Sequence, residues 1–565
     1  MDIIQLVKKL LAFQEPEAES TFILVENEAE TGNKIPGDST SDFLNGVDYK
    51  NTKISPGLTE NKKIIAELFS VPENSDLVIK EFEIQSNPSL KAMAVFMDGL
   101  VDKAVLHYAV FEPLMLHGDH QSNRPDSLSS NDGNSISVID NILQKLLLVN
   151  QTKKKNTYGA VINAIIVGET ALFIENASET IILETKGWKD RTIEQPLNEK
   201  TIRGPHEAFN ENYRENIGLI RKTLPNHNLI NNTIHFGSEQ KGFCAVLYLK
   251  NITNPSLVTE VKRRLSSIKT DYMPDSGLEQ YIEDHPYLIL PQTRVTERPD
   301  IVVSSLLEGR VAIIASNSPN AIIVPATFWS FLHAPDDIYF RFPFGTFSRV
   351  IRIMAMLSTM LLPGLYIAIT DFHQEMIPTD LLFAIVGARG KVPFPTIIEV
   401  LLMELSFELI REAGIKIPGL IGPTLGIIGA LILGQAAVAA NIVSPILIIV
   451  VAITGIGSFA IPDYSMAFSF RLIRFLYIVV AAILGLYGIA IVAFMNLALM
   501  CHMKSFGVPY LAPLTPRSKG GIKSFFRYPI WEQETAPDEI NPIKRQRQPK
   551  ISRGWTNKEP EGRKE

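Results

Sequence analysis

No charged residue stands between Lys416 and Asp463. A helix that crosses a bilayer needs about 20 mostly apolar residues, so this run is long enough for two. A soluble domain rarely has a use for so long an uncharged stretch, because its surface must carry polar groups at short intervals. The run sits inside a larger apolar block, 349–501, which Arg349 and Arg352 open and Cys501 closes. A long polar region precedes the block and a charged tail follows it. The expected fold class is an α/β (α+β) two-subdomain cytoplasmic region followed by an α-helical multi-pass membrane domain.

Average composition conceals that division. Hydrophobic residues make up 46%, charged residues 20%, and the formal net charge is −6, values that suit a globular chain. The two cysteines, Cys244 and Cys501, lie in unlike contexts, one in an apolar strand and one at the end of an apolar helix. Nothing pairs them, which suits a reducing compartment for the polar region. The start of the chain, Met1 to Phe13, lacks the basic, apolar, small-residue order of a signal peptide and reads as a short amphipathic helix.

Five domains are expected in order. Residues 1–60 are a mobile lead-in, rich in Glu, Asn, Ser and Gly and too poor in apolar residues to fold alone. Residues 61–200 form a first α/β subdomain. Its strands are predicted at Asp76–Ile84, Lys91–Met97, Gly159–Val167, Ala171–Glu175 and Thr180–Glu184, with helices at Asp102–Leu116 and Val138–Val149 and a polar loop over 117–136. Residues 201–348 form a second. There a helix ends at Leu224, strands run over Asn228–His235 and Gly242–Leu249, and helices lie near Pro255–Ile268 and Gly277–Asp284. A hairpin pairs Arg310–Ala315 with Ala321–Val324. The aromatics of 325–348 read as a collar at the lipid–water boundary. Residues 349–501 are the helical membrane domain. Residues 502–565, with 13 Lys and Arg against 7 Asp and Glu, are a basic, largely disordered cytoplasmic tail.

Four hydrophobic spans are expected in the membrane domain: Ile353–Thr370, Pro418–Ala440, Val443–Ile461 and Leu476–Met500. Basic residues at both ends place both termini on the cytoplasmic side, which requires an even number of spans. Four satisfies this if 395–413 lies at the interface or folds back, and six is the next choice. Pro363 and Gly364 fall inside the first span, where a proline removes one helical hydrogen bond.

The helix Pro395–Ala413 is the sharpest chemical feature. Glu404, Glu408 and Glu412 share one face, with Arg411 beside them. Carboxylates at membrane depth are costly and mark ion paths or partners; the alternative is a helix lying at headgroup level with its charges in water. A second feature runs from Gly434 and Gln435 through Ala436, Ala437, Val438, Ala439 and Ala440 to Asn441. It suits pore lining or close helix packing. The candidate ion path is therefore Glu404, Glu408, Gln435 and Asn441. Pro363, Gly364, Gly434, Ser444 and Pro445 are candidates for packing or gating. His373, between Asp371 and Glu375, lacks the spacing of a metal site. No phosphate-binding loop, nucleophile elbow or zinc motif is present. No enzyme, cofactor, metal site or nucleic-acid partner is expected.

Several longer motifs point to a family. They are Arg203-Gly204-Pro205-His206-Glu207-Ala208-Phe209 with Asn216 and Leu219-Ile220-Arg221; Pro291-Gln292 with Thr296-Glu297-Arg298-Pro299-Asp300; and Leu307 to Ile313. They continue with Glu404 through Phe407-Glu408 to Gly414, and Ala437-Val438 with Val443-Ser444-Pro445. From roughly residue 60 to 520 the chain resembles the A subunits of the GerA-type nutrient germinant receptors of endospore-forming bacteria. The resemblance implies a multi-pass protein of the dormant spore's inner membrane. It implies a transporter-like B subunit and a lipoprotein C subunit as partners, with membrane lipids around it. It further implies homo-oligomerisation into a ring that admits monovalent cations when a nutrient binds. A non-conducting sensor or scaffold, whose cytoplasmic region binds the signal or partners, is the alternative.

Overall fold

The computed structural model describes residues 22, 24, 43–44, 47–85, 89–116, 142–143, 147–187, 196, 198–237, 242–271, 277–416, 429, 432–516 and 526–548. Most of the lead-in, the loop 117–136, most of the helix expected at Val138–Val149, the first part of the span Pro418–Ala440 and the last stretch of the tail lie outside these residues. The chain divides into two compact units. An α+β unit comprises Phe22–Glu283, Val295–Pro325 and Ile530–Glu565, and a helical unit comprises Met1–Thr21, Asp284–Arg294 and Ala326–Pro529.

The α+β unit holds two five-stranded sheets. In the first, strands β1 (Leu77–Ile84), β2 (Leu90–Met97), β3 (Thr152–Lys155), β4 (Thr170–Ile174) and β5 (Thr180–Leu183) lie in the order β1-β2-β4-β5-β3. Its ladders are antiparallel, so this is an α+β fold and not a parallel βαβ one. Alternation along β2 explains its nearly continuous apolar sequence. Met93, Val95 and Met97 join a core with helices α1 (Leu58–Leu68) and α2 (Tyr158–Ile166) on one face. Ala92, Ala94 and Phe96 join a second core with Leu106, Val110, Phe111 and Leu114 on the other. A strand covered on both faces has no polar side.

The strand expected at Gly159–Val167 is the helix α2. Tyr158, Val161, Ile162 and Ile165 are its buried residues on the sheet-facing side, a helical spacing hidden by the apolar residues on the remaining faces. The short strand β3 is carried by three lysines and did not register as apolar. It is an edge strand, where exposed lysine is normal.

The second sheet has strands β6 (Leu229–Phe236), β7 (Gly242–Leu249), β8 (Arg294–Thr296), β9 (Val311–Ala315) and β10 (Ala321–Val324) in the order β8-β10-β9-β7-β6. Helices α3 (Tyr213–Thr223), α4 (Pro255–Ser266) and α5 (Pro299–Leu307) accompany it. Ile217 and Ile220 of α3 and Ile301, Val302 and Leu306 of α5 close one face over Ala245, Leu247 and Ile314. Helix α5 was absent from the sequence expectation, because its short apolar run resembles a strand. Residues 530–548, expected as solvated tail, fold onto this unit: Ile543 N donates to Ile252 O at 2.8 Å and Ile540 is fully buried.

Among the described residues, two helices of the helical unit are long and apolar enough to cross a membrane, Phe342–Phe372 and Tyr464–His502. The first consists of α6 (Phe342–Ile367) and a π-helical turn over Ala368–Phe372. Then come α7 (Thr379–Arg389), α8 (Thr396–Lys416), the shorter apolar α9 (Pro445–Phe459) and α10 (Tyr464–His502). The expected spans at Ile353–Thr370 and Leu476–Met500 fall within these long helices. The segment at Val443–Ile461 is the 15-residue α9, short for a span. The aromatics before α6 divide. Phe328, Trp329 and Phe331 are buried in a core with Phe470, Tyr477 and Tyr510, not set in a collar. Phe342, Phe344 and Phe347 are exposed.

Candidate functional site

Glu404, Glu408 and Arg411 of helix α8 face α9 and α10. Glu404 and Arg474 are both fully buried and 2.9 Å apart. Thr454 of α9 donates its hydroxyl to Glu404 Oε1 at 3.3 Å. One turn on, Glu408 accepts from Arg471 Nη1 at 3.0 Å and from Arg474 Nη2 at 2.9 Å. Arg411 lies 3.4 Å from Glu408 and donates to Ser458 Oγ at 2.7 Å. Aromatic rings sheath the guanidiniums: Arg411 lies over Phe407 and Phe459, Arg471 over Phe468, and Arg474 over Phe475. Such stacking favours cations that are poorly hydrated.

The charge sum of this cluster is informative. Two carboxylates, Glu404 and Glu408, meet three guanidiniums, Arg411, Arg471 and Arg474, which leaves one positive charge in excess. Arg474 Nε and Arg411 Nε are buried without a hydrogen-bond partner. Removal of one member of such a buried pair strands the other charge and is strongly destabilising. Sequence reasoning singled out Glu404 and Glu408 as an ion path but missed Arg471 and Arg474, which lie in another helix. Their signal was present: two arginines at i and i+3 in an otherwise apolar run.

The other candidates are dispersed. Gln435 and Asn441 are exposed, and Asn441 takes a left-handed φ of 53° just past the helical residues 432–439, a conformation asparagine tolerates. Gly434 is buried against Ile448 of α9. Ser444 is the N-cap of α9, with Pro445 in its first turn. Pro363 and Gly364 are buried within α6, and a Cβ on Gly364 would lie 3.2 Å from Tyr477 O of α10. Gly364 thus allows close approach of the two long helices.

A second charged cluster lies at the other end of α8. Arg389, the last residue of α7, is 3.0 Å from Asp371 and 3.7 Å from Glu399. Thr396 donates to Asp371 at 2.7 Å, and Glu399 accepts from Ser444 N at 3.1 Å. Sequence reasoning passed over this group, because its members come from four separate elements.

The family description "Bacillus/Clostridium GerA spore germination protein" matches residues 63–539. The chain belongs to the GerA family. "Spore germination protein KA" of Bacillus subtilis is 37% identical over 90% of this chain and 92% of its own length. "Uncharacterized membrane protein YfkQ" of the same organism is 35% identical over 87% of this chain and 92% of its own. A crystal structure of the N-terminal domain of the A subunit of the Bacillus megaterium spore germinant receptor GerK3 is 28% identical. It covers 49% of this chain and 98% of that one, with a TM-score of 0.37.

In this GerA chain the signature motifs of the α+β unit hold the fold together. Arg298 is fully exposed to no solvent; its guanidinium bonds Asp300, Thr201 and the carbonyls of Glu199 and Pro205. It thereby fixes the Arg203–Phe209 segment to the start of α5. Asn216, also buried, bonds both the amide and the carbonyl of Asn210. Arg221 grips Asp76 through Nε at 2.5 Å and Nη2 at 2.8 Å. The α8 motif, Glu404 to Arg411, is the part of the signature that lies in the charged cluster of the helical unit.

Proposed function

We propose that this chain is a membrane-embedded subunit of a spore nutrient receptor. In this reading it relays a nutrient signal to its helical unit and, as a homo-oligomer, gates a path for monovalent cations. Membership of the GerA family over 63–539 carries the germination role. Two apolar helices of spanning length support membrane residence, in the spore inner membrane with the α+β unit and the tail facing the spore core. The transporter-like B subunit and the lipoprotein C subunit are its proposed partners.

Within this reading Glu404 and Glu408 lock α8 to α9 and α10 through arginine. Gln435 and Asn441, exposed on the single chain, are the polar side chains available to line a path between copies. The arginine excess beside Glu404 favours the alternative, a non-conducting anchor and sensor, because a positive cluster repels cations. Deletion of the gene in a spore-former that encodes this chain tests the proposal. Release of monovalent cations after addition of individual nutrients should fail for at least one nutrient and return on complementation. Unchanged release with every nutrient would refute it.

A further inference from the structure

The cluster at Asp371, unlike that at Glu404, carries a negative excess. Asp371 and Glu399 supply two carboxylates against the single guanidinium of Arg389. Glu399 is 1% exposed, and its Oε1 has no hydrogen-bond partner; Arg389 approaches it only to 3.7 Å. The Asp371 side chain is 32% exposed and that of Arg389 25%. The group therefore reaches from the surface of the chain to a buried carboxylate.

The backbone around it is irregular. Asp371 lies in the π-helical turn Ala368–Phe372, where the first long helix leaves its regular ladder. Gly485 interrupts the other long helix with φ 60° and ψ −140°, and a Cβ there would lie 3.0 Å from Phe372. Only glycine adopts such angles readily. Interrupted helices at membrane depth expose carbonyl and helix-end dipoles, which serve as ion ligands. Hydroxyls of Thr370 and Thr396 also surround Asp371.

We infer that Asp371 and Glu399 form a binding site for a monovalent cation, and that Arg389 is a tethered cation that occupies it in this state. Two carboxylates with threonine hydroxyl oxygens suit a singly charged ion. A divalent ion asks for more anionic oxygen, and among the described residues no group of three or more His, Cys, Asp or Glu is arranged to hold a metal. When the Arg389 guanidinium swings outward, the ion entering past Asp371 meets the unpaired oxygen of Glu399. The inference rests on the cation-path reading above, but binding is measured apart from germination.

The test uses the full-length chain in lipid nanodiscs. Its thermal unfolding is followed in potassium chloride and in choline chloride at equal ionic strength. Arg389→Gln should be stabilised by potassium at about tenfold lower concentration than the parent, and choline should not reproduce the effect. Glu399→Gln should abolish the difference between the salts. Asp371→Asn, at a partly exposed position, should weaken it and serves where Glu399→Gln does not fold. An equal response of Arg389→Gln to both salts, or an undiminished potassium effect in the carboxylate variants, would overturn the site. Potassium binding that follows the expected order, with unaltered cation release from Arg389→Gln spores, would uphold the site and refute the path.

Discussion

At the scale of single residues, burial decides what a side chain can do. Cys244 lies in β7 with no exposed surface, and desolvation pushes its thiol up to about 12. At pH 8 the thiolate fraction is then about one part in ten thousand, and only the thiolate reacts. A maleimide should therefore leave Cys244 unmodified in the native chain and label it within minutes in denaturant, read by peptide mass spectrometry. Rapid labelling of Cys244 under native conditions would show that β7 is not covered as described. Arg221 illustrates the same rule for charge. It is 3% exposed, yet its bidentate grip on Asp76 and further bonds to Asn74 and to Leu229 O satisfy much of the guanidinium. Such a residue ties α3 to the segment ahead of β1, and a chain that kept the motif but lost Asp76 would bury an unpaired cation.

At the scale of elements, α4 shows how a helix end gains a pH dependence. Burial raises the Glu260 carboxyl, but hydrogen bonds from Arg263 and Arg264, with their charges, outweigh it and hold the group below its ordinary value of 4.5. A carboxyl depressed in the folded state contributes stability above its unfolded pKa and loses it as pH falls through the folded one. Hydrogen exchange of α4 should accordingly quicken as pH drops below 4.5, beyond the intrinsic pH effect, and Glu260→Gln should remove that added sensitivity. An identical pH profile in the variant would exclude Glu260 as its source. The same elements show what a sequence discloses. β1, β2, β7 and the β9–β10 hairpin were legible because alternation or a turn marks each one. α2 was misread because its polar face is nearly absent, and β3 and α5 were missed because one is lysine-rich and the other short. The acidic stripe on α8 was legible, whereas its partners Arg471 and Arg474 were not, because pairing across helices follows from packing rather than from spacing.

At the scale of the whole molecule, the helical unit separates two kinds of charge. The cluster of Glu404, Glu408, Arg411, Arg471 and Arg474 has a positive excess, and that of Asp371, Glu399 and Arg389 a negative one. Charges that are costly to bury persist where they hold helices or meet ions. The first cluster suits the former role: Glu404 and Arg474 are fully buried, and each carboxylate there faces at least one guanidinium. Replacement of both Glu404 and Glu408 by Gln would leave three arginines without a counter-charge, a penalty of roughly 3–5 kcal/mol for a buried pair broken on one side. Against typical folding stabilities of about 5–15 kcal/mol, that is enough to deplete the folded chain. The double variant should therefore fall several-fold in abundance in spore membranes, with cation release per remaining receptor unchanged. Further replacement of Arg471 and Arg474 by Met should restore much of that abundance, because an apolar pair avoids stranded charge. Normal abundance in the double variant, with release slowed in proportion to the lost carboxylates, would instead assign Glu404 and Glu408 to the ions themselves.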